Sequence, residues 1–248
     1  MSTELQKDIH KILVEDFSTA MGFNEETGLL PNGKKRFSGM PFIGNDYGKF
    51  SPKILIVGED IGSDERRSDN TYHNFGTKRE CCILPSKWEY RAHLCGTYIT
   101  ALYLLKEIAP FNYMWQENFS HKTATLALKT LNTEQIQMIA DTISLTNLHK
   151  FVTVSRPGKS GGDDRIWIDH DKEFVTFIEE VKCFAPDIII LQAINSMTNE
   201  DIEQIKQAAG GASVYKLTHP STRKRGGRIV HNLIIDPLRE QGYKEEKL

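Results

Sequence analysis

Short apolar runs that end in polar residues are the clearest pattern along this chain. Residues 53–57 and 186–192 are almost entirely Ile, Leu and Val between polar ends. An unbroken apolar run of this length is typical of a strand buried on both faces, as in a parallel sheet. Residues 143–148 and 213–218 show a weaker form of the same pattern. We therefore expect four buried strands.

Segments with helical spacing of apolar residues alternate with these runs. In the first of them, Leu5, Ile9, Leu13 and Phe17 recur every three to four residues. Helices are predicted over 5–21, 93–108, 133–142, 171–184 and 199–209, with a short helical tail near the end. The helix over 133–142 is expected to start from a Thr cap. The alternation predicts an α/β fold, a three-layer α/β/α sandwich with a central, mainly parallel four-stranded sheet.

The sequence predicts one domain over residues 1–248. Residues 1–50 are expected to form its N-terminal helix and loop extension. Residues 22–51 are rich in Gly, Pro, Asn and Lys, so they are predicted to be mostly loop, and 41–48 is the part expected to fold over a cleft.

The composition of the chain limits the kinds of partner that the protein can bind. The 248 residues carry a net charge of −2, so contact with nucleic acid needs a local basic patch rather than a global field. No stretch approaches the roughly 18 apolar residues of a membrane span. Four cysteines make no CxxC pair or zinc spacing, and we expect reduced thiols in a cytoplasmic protein: Cys81, Cys82, Cys95 and Cys183. No cofactor, metal or obligate protein partner is expected.

Unusual polar residues follow three of the four predicted strands. Glu59 and Asp60 lie between Gly58 and Gly62, two glycines that permit a tight turn just after the first strand. Asn147 ends the second strand, and His219-Pro220-Ser221 follows the last. Because the carboxyl ends of parallel strands meet at one edge, where α/β sheets place ligand sites, these residues are expected to converge.

An acid, an amide and a histidine together suit cleavage of an N-glycosidic bond. A carboxylate stabilises the oxocarbenium character of the sugar and orients a water molecule. A hydrogen-bond donor such as neutral His stabilises negative charge on the departing base. A side-chain amide both donates and accepts, so it can recognise the edge of the base.

These motifs resemble those of the uracil-DNA glycosylase superfamily. Residues 54–62 look like its first motif, and Leu217 to Thr222 contains its His-Pro-Ser motif. Residues 146–158 are similar to the Thr-Asn-x-x-Lys-x-Arg-Pro-Pro stretch of the iron–sulphur-bearing branch. The resemblance spans roughly residues 53–228, with the motifs in the expected order.

The resemblance implies a role for each matching residue. Asp60 occupies the position of the water-activating Asp, and Glu59 the adjacent position. Asn147 matches the base-recognition Asn. His219 matches the His that stabilises the uracil anion, while Pro220 and Ser221 shape a phosphate-binding turn. Phe75 is the nearest candidate for the aromatic residue on which the base stacks, and Tyr72 is the alternative.

The chain also departs from the family pattern. Ile61 replaces the usual Pro of the first motif, and Gly158 replaces the second Pro of the middle motif. The cysteines are not at cluster-ligand positions. After His-Pro-Ser the loop carries no clear apolar wedge but four basic residues, which we expect to contact phosphates: Arg223, Lys224, Arg225 and Arg228.

Two functional hypotheses follow. The first is a DNA glycosylase that excises a damaged base, with uracil favoured, from single- or double-stranded DNA in base-excision repair. The alternative is a catalytically inactive protein of the same fold that binds nucleic acid or a nucleotide-like ligand. Structural roles also remain open: Asp60 as a solvated turn acid, Asn147 as the centre of an Asx-turn and Phe75 as a core residue.

Overall fold

The computed structural model describes residues 2–37, 39–59, 92–153, 167–194, 196–222 and 228–244. Its strands, in chain order, are β1 (Lys35–Phe37), β2 (Phe42–Ile43), β3 (Ile54–Gly58), β4 (Ile143–Asn147), β5 (Phe151–Thr153), β6 (Ile188–Gln192) and β7 (Ser213–Leu217). Five of them form one sheet in the order β2-β4-β3-β6-β7, and β1 pairs separately with β5. The α/β class is confirmed.

The main sheet is mixed and has five strands, where four were predicted. Strand β3 pairs in parallel with β4 and β6, and β6 pairs in parallel with β7. The additional strand, β2, is antiparallel to β4 at the sheet edge. It has only two residues, too short for its apolar alternation to distinguish it from the surrounding loop.

The register of the parallel strands aligns their carboxyl ends. Gly58 on β3 lies opposite Asn147 on β4 and opposite Gln192 on β6. Gln192 in turn lies opposite Leu217, the last residue of β7. The residues that follow these strands therefore begin at the same edge of the sheet.

Helices flank the sheet in sequence. They are α1 (Ser2–His10), α2 (Phe17–Met21), α3 (Ala92–Leu105), α4 (Ala124–Leu128), α5 (Thr133–Thr142), α6 (His170–Phe184), α7 (Asn199–Ala208) and α8 (Asp236–Glu240). A π-helical segment, Lys11–Asp16, joins α1 to α2, and another, His231–Ile235, precedes α8. Two 3₁₀ turns cover Phe111–Tyr113 and Glu117–His121. In the described part of the chain, no helix is long and apolar enough to span a membrane.

Each face of the sheet has its own hydrophobic core. Ile54 and Ile56 of β3 pack with buried residues of α3, α4 and α5. Leu55 and Val57, which alternate with them, pack on the other face with α6 and the N-terminal helices. The period of two along a strand explains this division. The sheet therefore lies between two layers of helices.

Side-chain caps fix several helix starts. Helix α5 was predicted to start from a Thr cap, but Asn132 caps it: its side chain accepts the backbone N–H of Gln135, and the Gln135 side chain accepts that of Asn132, both at 2.9 Å. Asp169 caps α6 by accepting from the Lys172 N–H at 3.2 Å. The reciprocal cap of Asn132 and Gln135 satisfies N–H groups that a helix start leaves unpaired.

Residues 41–48, the segment expected to fold over a cleft, pair with the chain around the start of β4. The Gly44 N–H donates to the carbonyl of Ile143, the first residue of β4, at 3.0 Å. The Asp46 N–H donates to the Asp141 carbonyl, which precedes β4, at 2.8 Å. Backbone pairing thus holds this segment beside the amino end of β4.

Candidate functional site

The chain after β3 and the chain after β4 run side by side at the carboxyl edge. The Leu148 N–H donates to the Gly58 carbonyl and the His149 N–H to the Glu59 carbonyl, both at 2.8 Å. These two bonds continue the parallel pairing beyond the strands. They fix the backbone of Glu59, a predicted catalytic residue whose side chain is partly exposed.

The amide of Asn147 lies over Gly58. A Cβ atom built on Gly58 would be 2.8 Å from Asn147 Oδ1. Asn147 itself is only 3% exposed, whereas Gly58 is partly exposed. The glycine is therefore required at the point where a buried amide meets the accessible edge, because any side chain there would displace it.

His219 is oriented by the residue two positions after it. The Ser221 backbone N–H donates to His219 Nδ1 at 3.1 Å, and Ser221 Oγ lies 2.6 Å from the same nitrogen. The backbone contact makes Nδ1 an acceptor, so the neutral ring carries its proton on Nε2. Since His219 is exposed, this arrangement provides an N–H donor at the carboxyl edge.

Helix α3 supports the His-Pro-Ser turn from one side. A Cβ on Gly96 would lie 2.4 Å from the Cβ of Pro220, so only glycine permits this approach. One turn earlier on the helix, the ring of His93 lies 6.5 Å from that of His219, centre to centre. Pro220 is buried, and its contact with α3 sets the position of the turn.

Arg228 supports the same turn from its other end. Its Nε donates to the Ser221 carbonyl at 3.2 Å, and its own carbonyl accepts the Ala124 N–H at 2.9 Å. Arg228 was predicted to contact phosphate. The structure shows that at least one of its five donors holds the protein backbone, next to the residue that orients His219.

Gln192 is a further polar residue at this edge, and it was not predicted as a site residue. It is 8% exposed, and its Oε1 lies 3.1 Å from Thr97 Oγ1 on α3. The signal was present in the sequence: like Asn147, Gln192 ends an otherwise apolar strand at the carboxyl edge.

A buried charged cluster, formed by Thr146, Lys150 and Glu180, lies behind Asn147 on the opposite face of the sheet. The Lys150 ammonium contacts the Glu180 carboxylate and donates to Thr146 Oγ1 at 3.1 Å. All three residues have no exposed surface, and Lys150 also lies 5.7 Å from the centre of the Phe177 ring. The cluster thus holds Thr146, which precedes Asn147, and Lys150, which follows it in the chain. In sequence Lys150 and Glu180 look like ordinary surface charges, so their pairing was not predicted.

The thiols and acids show no sign of metal chemistry in the described part of the chain. No group of three His, Cys, Asp or Glu residues there is arranged to hold a metal ion. Burial raises the pKa of the Cys95 thiol and of the Cys183 thiol, which disfavours the thiolate that metals bind. Cys81 and Cys82 lie outside the described residues.

Several predicted site residues fall outside the described ranges. They are Asp60, Gly62, the stacking candidates Phe75 and Tyr72, and the basic residues Arg223, Lys224 and Arg225. The described candidates Gly58, Glu59, Asn147 and His219 all follow or end strands at one edge, as predicted. Asn147 ends β4 and His219 follows β7, and these two strands are three strand spacings apart, about 14 Å.

The site thus combines a buried amide on one side with an exposed imidazole donor on the other. Between them lie Gly58, Glu59 and Gln192 at the ends of β3 and β6. Such an arrangement suits a ligand with a polar edge and a developing negative charge. Comparisons with models of protein families, with curated proteins and with solved structures found no match for this chain.

Proposed function

We propose that this protein is a DNA glycosylase of the uracil type, with the uracil-DNA glycosylase fold. It would hydrolyse the N-glycosidic bond of a damaged base, uracil being the favoured one. The observation that carries the proposal is the Ser221–His219 contact, which orients a neutral imidazole donor at the same sheet edge as the amide of Asn147.

The leaving base needs a hydrogen-bond donor that stays neutral during the reaction. When the glycosidic bond breaks, negative charge develops on a carbonyl oxygen of the base. Because Ser221 keeps Nδ1 of His219 as an acceptor, Nε2–H would be the donor to that oxygen. A donor held in place before the reaction stabilises the transition state without reorganisation.

Asn147 would select the base. A carboxamide offers one acceptor and two donors, which matches the adjacent carbonyl and N–H groups of uracil. Its position over Gly58 is fixed by the backbone pairing of β3 and β4. Flipping the nucleotide out of the duplex would deliver the base to this amide.

The sugar side of the reaction is assigned to carboxylates. Asp60 would orient the attacking water and stabilise the oxocarbenium-like sugar, assisted by Glu59. The C–N bond breaks and the base leaves as an anion bound to His219, after which water adds to the sugar carbon and Asp60 accepts the proton that the water releases. The backbone contact of Glu59 with His149, beside Asn147, supports this assignment.

A base-excision assay tests the proposal. Single- and double-stranded oligonucleotides containing uracil are incubated at low salt with wild type, Asp60→Ala and His219→Ala. We expect abasic product from wild type and about a 10²–10³-fold lower rate in His219→Ala, the typical loss when one stabilising donor is removed. His10→Ala, on the distant helix α1, is the control and should retain full activity.

The alternative is binding without excision. A folded wild-type protein that leaves uracil, hypoxanthine and xanthine in DNA untouched contradicts the glycosylase proposal. The protein would then be an inactive member of the same fold that binds nucleic acid or a nucleotide-like ligand. The buried amides of Asn147 and Gln192 at an accessible edge favour this second function, since they suit ligand recognition without requiring catalysis.

A further inference from the structure

Gln192 has the same relation to the sheet edge as Asn147. It is the last residue of β6, and it lies directly opposite Gly58. Ile188 and Ile190, two and four residues earlier, pack in the core on the α3 side of the sheet. Because side chains alternate along a strand, Gln192 also points to that side, where Thr97 of α3 contacts it.

The amide of Gln192 is buried, and only one of its two polar atoms has a hydrogen-bond partner among the described residues. Its Oε1 lies 3.1 Å from Thr97 Oγ1, while its Nε2 has no hydrogen-bond partner among the described residues. With 8% of the residue exposed, such a group is costly to leave unsatisfied. Buried polar groups in folded proteins nearly always have partners, so an exception points to a missing one.

The Thr97 hydroxyl cannot satisfy both polar atoms of the Gln192 amide. Thr97 Oγ1 also lies 3.0 Å from the carbonyl of His93, and a hydroxyl has one proton to donate. If that proton goes to His93, the Gln192 amide turns so that Nε2 donates to Thr97 and Oε1 becomes the open atom. In either orientation one end of the amide remains for another partner.

Asn147 and Gln192 approach Gly58 from its two sides. In the sheet order β4-β3-β6 they flank Gly58, which has no side chain, and the amide oxygen of Asn147 lies over it. The backbones of β4 and β6 are two strand spacings apart, about 10 Å. Gly58 is partly exposed, so the carboxyl edge beside the two amides is open to a ligand.

We propose that Gln192 is a second base-recognition residue, and that the carboxyl edge at Gly58 binds a planar lactam, a ring in which a carbonyl adjoins an N–H. Uracil, thymine and hypoxanthine belong to this class. A lactam edge satisfies the open end of the Gln192 amide in either orientation, while Asn147 contacts the ring from the other side. The inference rests on the proposed function only in that a nucleobase enters this site.

Binding of free uracil, measured by titration calorimetry, tests the inference. The variants are Gln192→Met, which keeps the length of the side chain but removes the amide, and Gln204→Met on the exposed side of α7 as a matched control. We expect Gln192→Met to bind uracil about tenfold more weakly, equivalent to about 1.4 kcal/mol, and the control to bind as wild type does. Thr97→Val, which removes the hydroxyl that holds Gln192, should weaken binding by a smaller factor.

Two analogues separate recognition from a structural role. Pyrimidin-2-one and pyrimidin-4-one each lack one carbonyl of uracil. If Gln192 contacts one of these carbonyls, Gln192→Met should leave the affinity for the analogue without it unchanged. Equal loss for uracil and both analogues, unchanged uracil binding in Gln192→Met, or no uracil binding by wild type would each overturn the inference. Uracil binding without excision from DNA would instead contradict the proposed enzyme activity and leave the inference intact.

Discussion

Gly58 is the residue on which the position of the Asn147 amide depends. It ends β3 between Asn147 and Gln192, and a Cβ there would lie 2.8 Å from Asn147 Oδ1. The obstructed atom is the end of a side chain, so the fold can accept the change by moving the Asn147 amide. The glycine is therefore important for the position of that amide more than for the sheet.

Gly58→Ala should separate function from stability. We expect it to lower uracil excision and uracil binding at least tenfold, while the free energy of unfolding falls by about 1 kcal/mol or less, because a small side-chain shift relieves the overlap. Activity assays and urea denaturation measure the two effects. The double variant Gly58→Ala/Asn147→Ala should be no less active than Asn147→Ala alone, since both changes act on one amide. Additive losses in the double variant would count against this explanation.

Glu173, at the start of α6, should make stability depend on pH. Its carboxylate has no exposed surface and accepts backbone N–H groups of Ile168, Asp169 and Lys150. Burial nevertheless raises the pKa of the carboxyl. The folded protein therefore binds the carboxyl proton of Glu173 more tightly than the unfolded chain does. Stability from this group is present at low pH and is lost as pH rises from about 4.3 towards the raised pKa.

Glu173→Gln removes the titrating group. Relative to wild type, the free energy of unfolding of this variant should fall less as pH rises through that window. Urea denaturation at a series of pH values measures the difference. Glu179→Gln, at a partly exposed position on the same helix, should keep the wild-type profile. Parallel pH profiles for wild type and Glu173→Gln would show that the carboxyl does not titrate differently on folding.

The buried charged cluster links α6 to the end of β4. Lys150 and Glu180 form an ion pair without exposed surface, and Thr146 bonds to both. Removing one charge from such a pair leaves the other buried and unpaired, which is far more costly than removing both.

Lys150→Met should destabilise the protein by about 3–5 kcal/mol, because Glu180 would be left without its cation. Adding Glu180→Gln to this variant should restore part of the loss, since Gln can still bond to Thr146. Lys182→Met is the control on α6: its ion pair with Glu179 is about half exposed, so we expect a change of about 1 kcal/mol or less. Denaturant unfolding compares all three. A double variant less stable than Lys150→Met would contradict the pairing.

The regular elements of the fold were predictable where one physical pattern dominated. The strand around Ile56 and the strand around Ile190 are buried on both faces, so their apolar runs were unambiguous. Strand β2 was missed, because two residues carry no periodicity and the pairing with β4 forms only in the folded chain. The Asn132 cap was displaced by one residue, since Asn and Thr are both good caps.

The candidate site was predictable only as far as topology brings strand ends together. Asn147 and His219 were placed at one edge because parallel strands end there. The Ser221 contact that orients His219 and the Thr97 contact with Gln192 depend on side-chain geometry, which no spacing in the sequence encodes. The role of Lys150 was hidden for the same reason: the burial of a lysine is known only once its partner is located.

The charge of the whole molecule limits how it can hold DNA. With a net charge of −2, the protein has no general attraction for a polyanion, so affinity must come from a local group of cations. The basic loop Arg223-Lys224-Arg225 is the sequence-based candidate. Arg228 also has a structural role, because its Nε holds the Ser221 carbonyl.

Salt dependence should distinguish these two roles. Each phosphate contact contributes about 0.9 to the slope of log K against log salt for duplex DNA, so replacing Arg223, Lys224 and Arg225 with Ala should reduce that slope by up to about 2.7. A control triple variant with the same charge change, Lys7, Lys11 and Lys34 to Ala, should leave the slope nearly unchanged, because charges outside the interface release no counterions on binding. Arg228→Ala should reduce the slope little but lower the rate of excision, since it loosens the turn that orients His219. Equal slopes for both triple variants would exclude the loop as the DNA contact, and DNA would then have to bind elsewhere on the carboxyl edge.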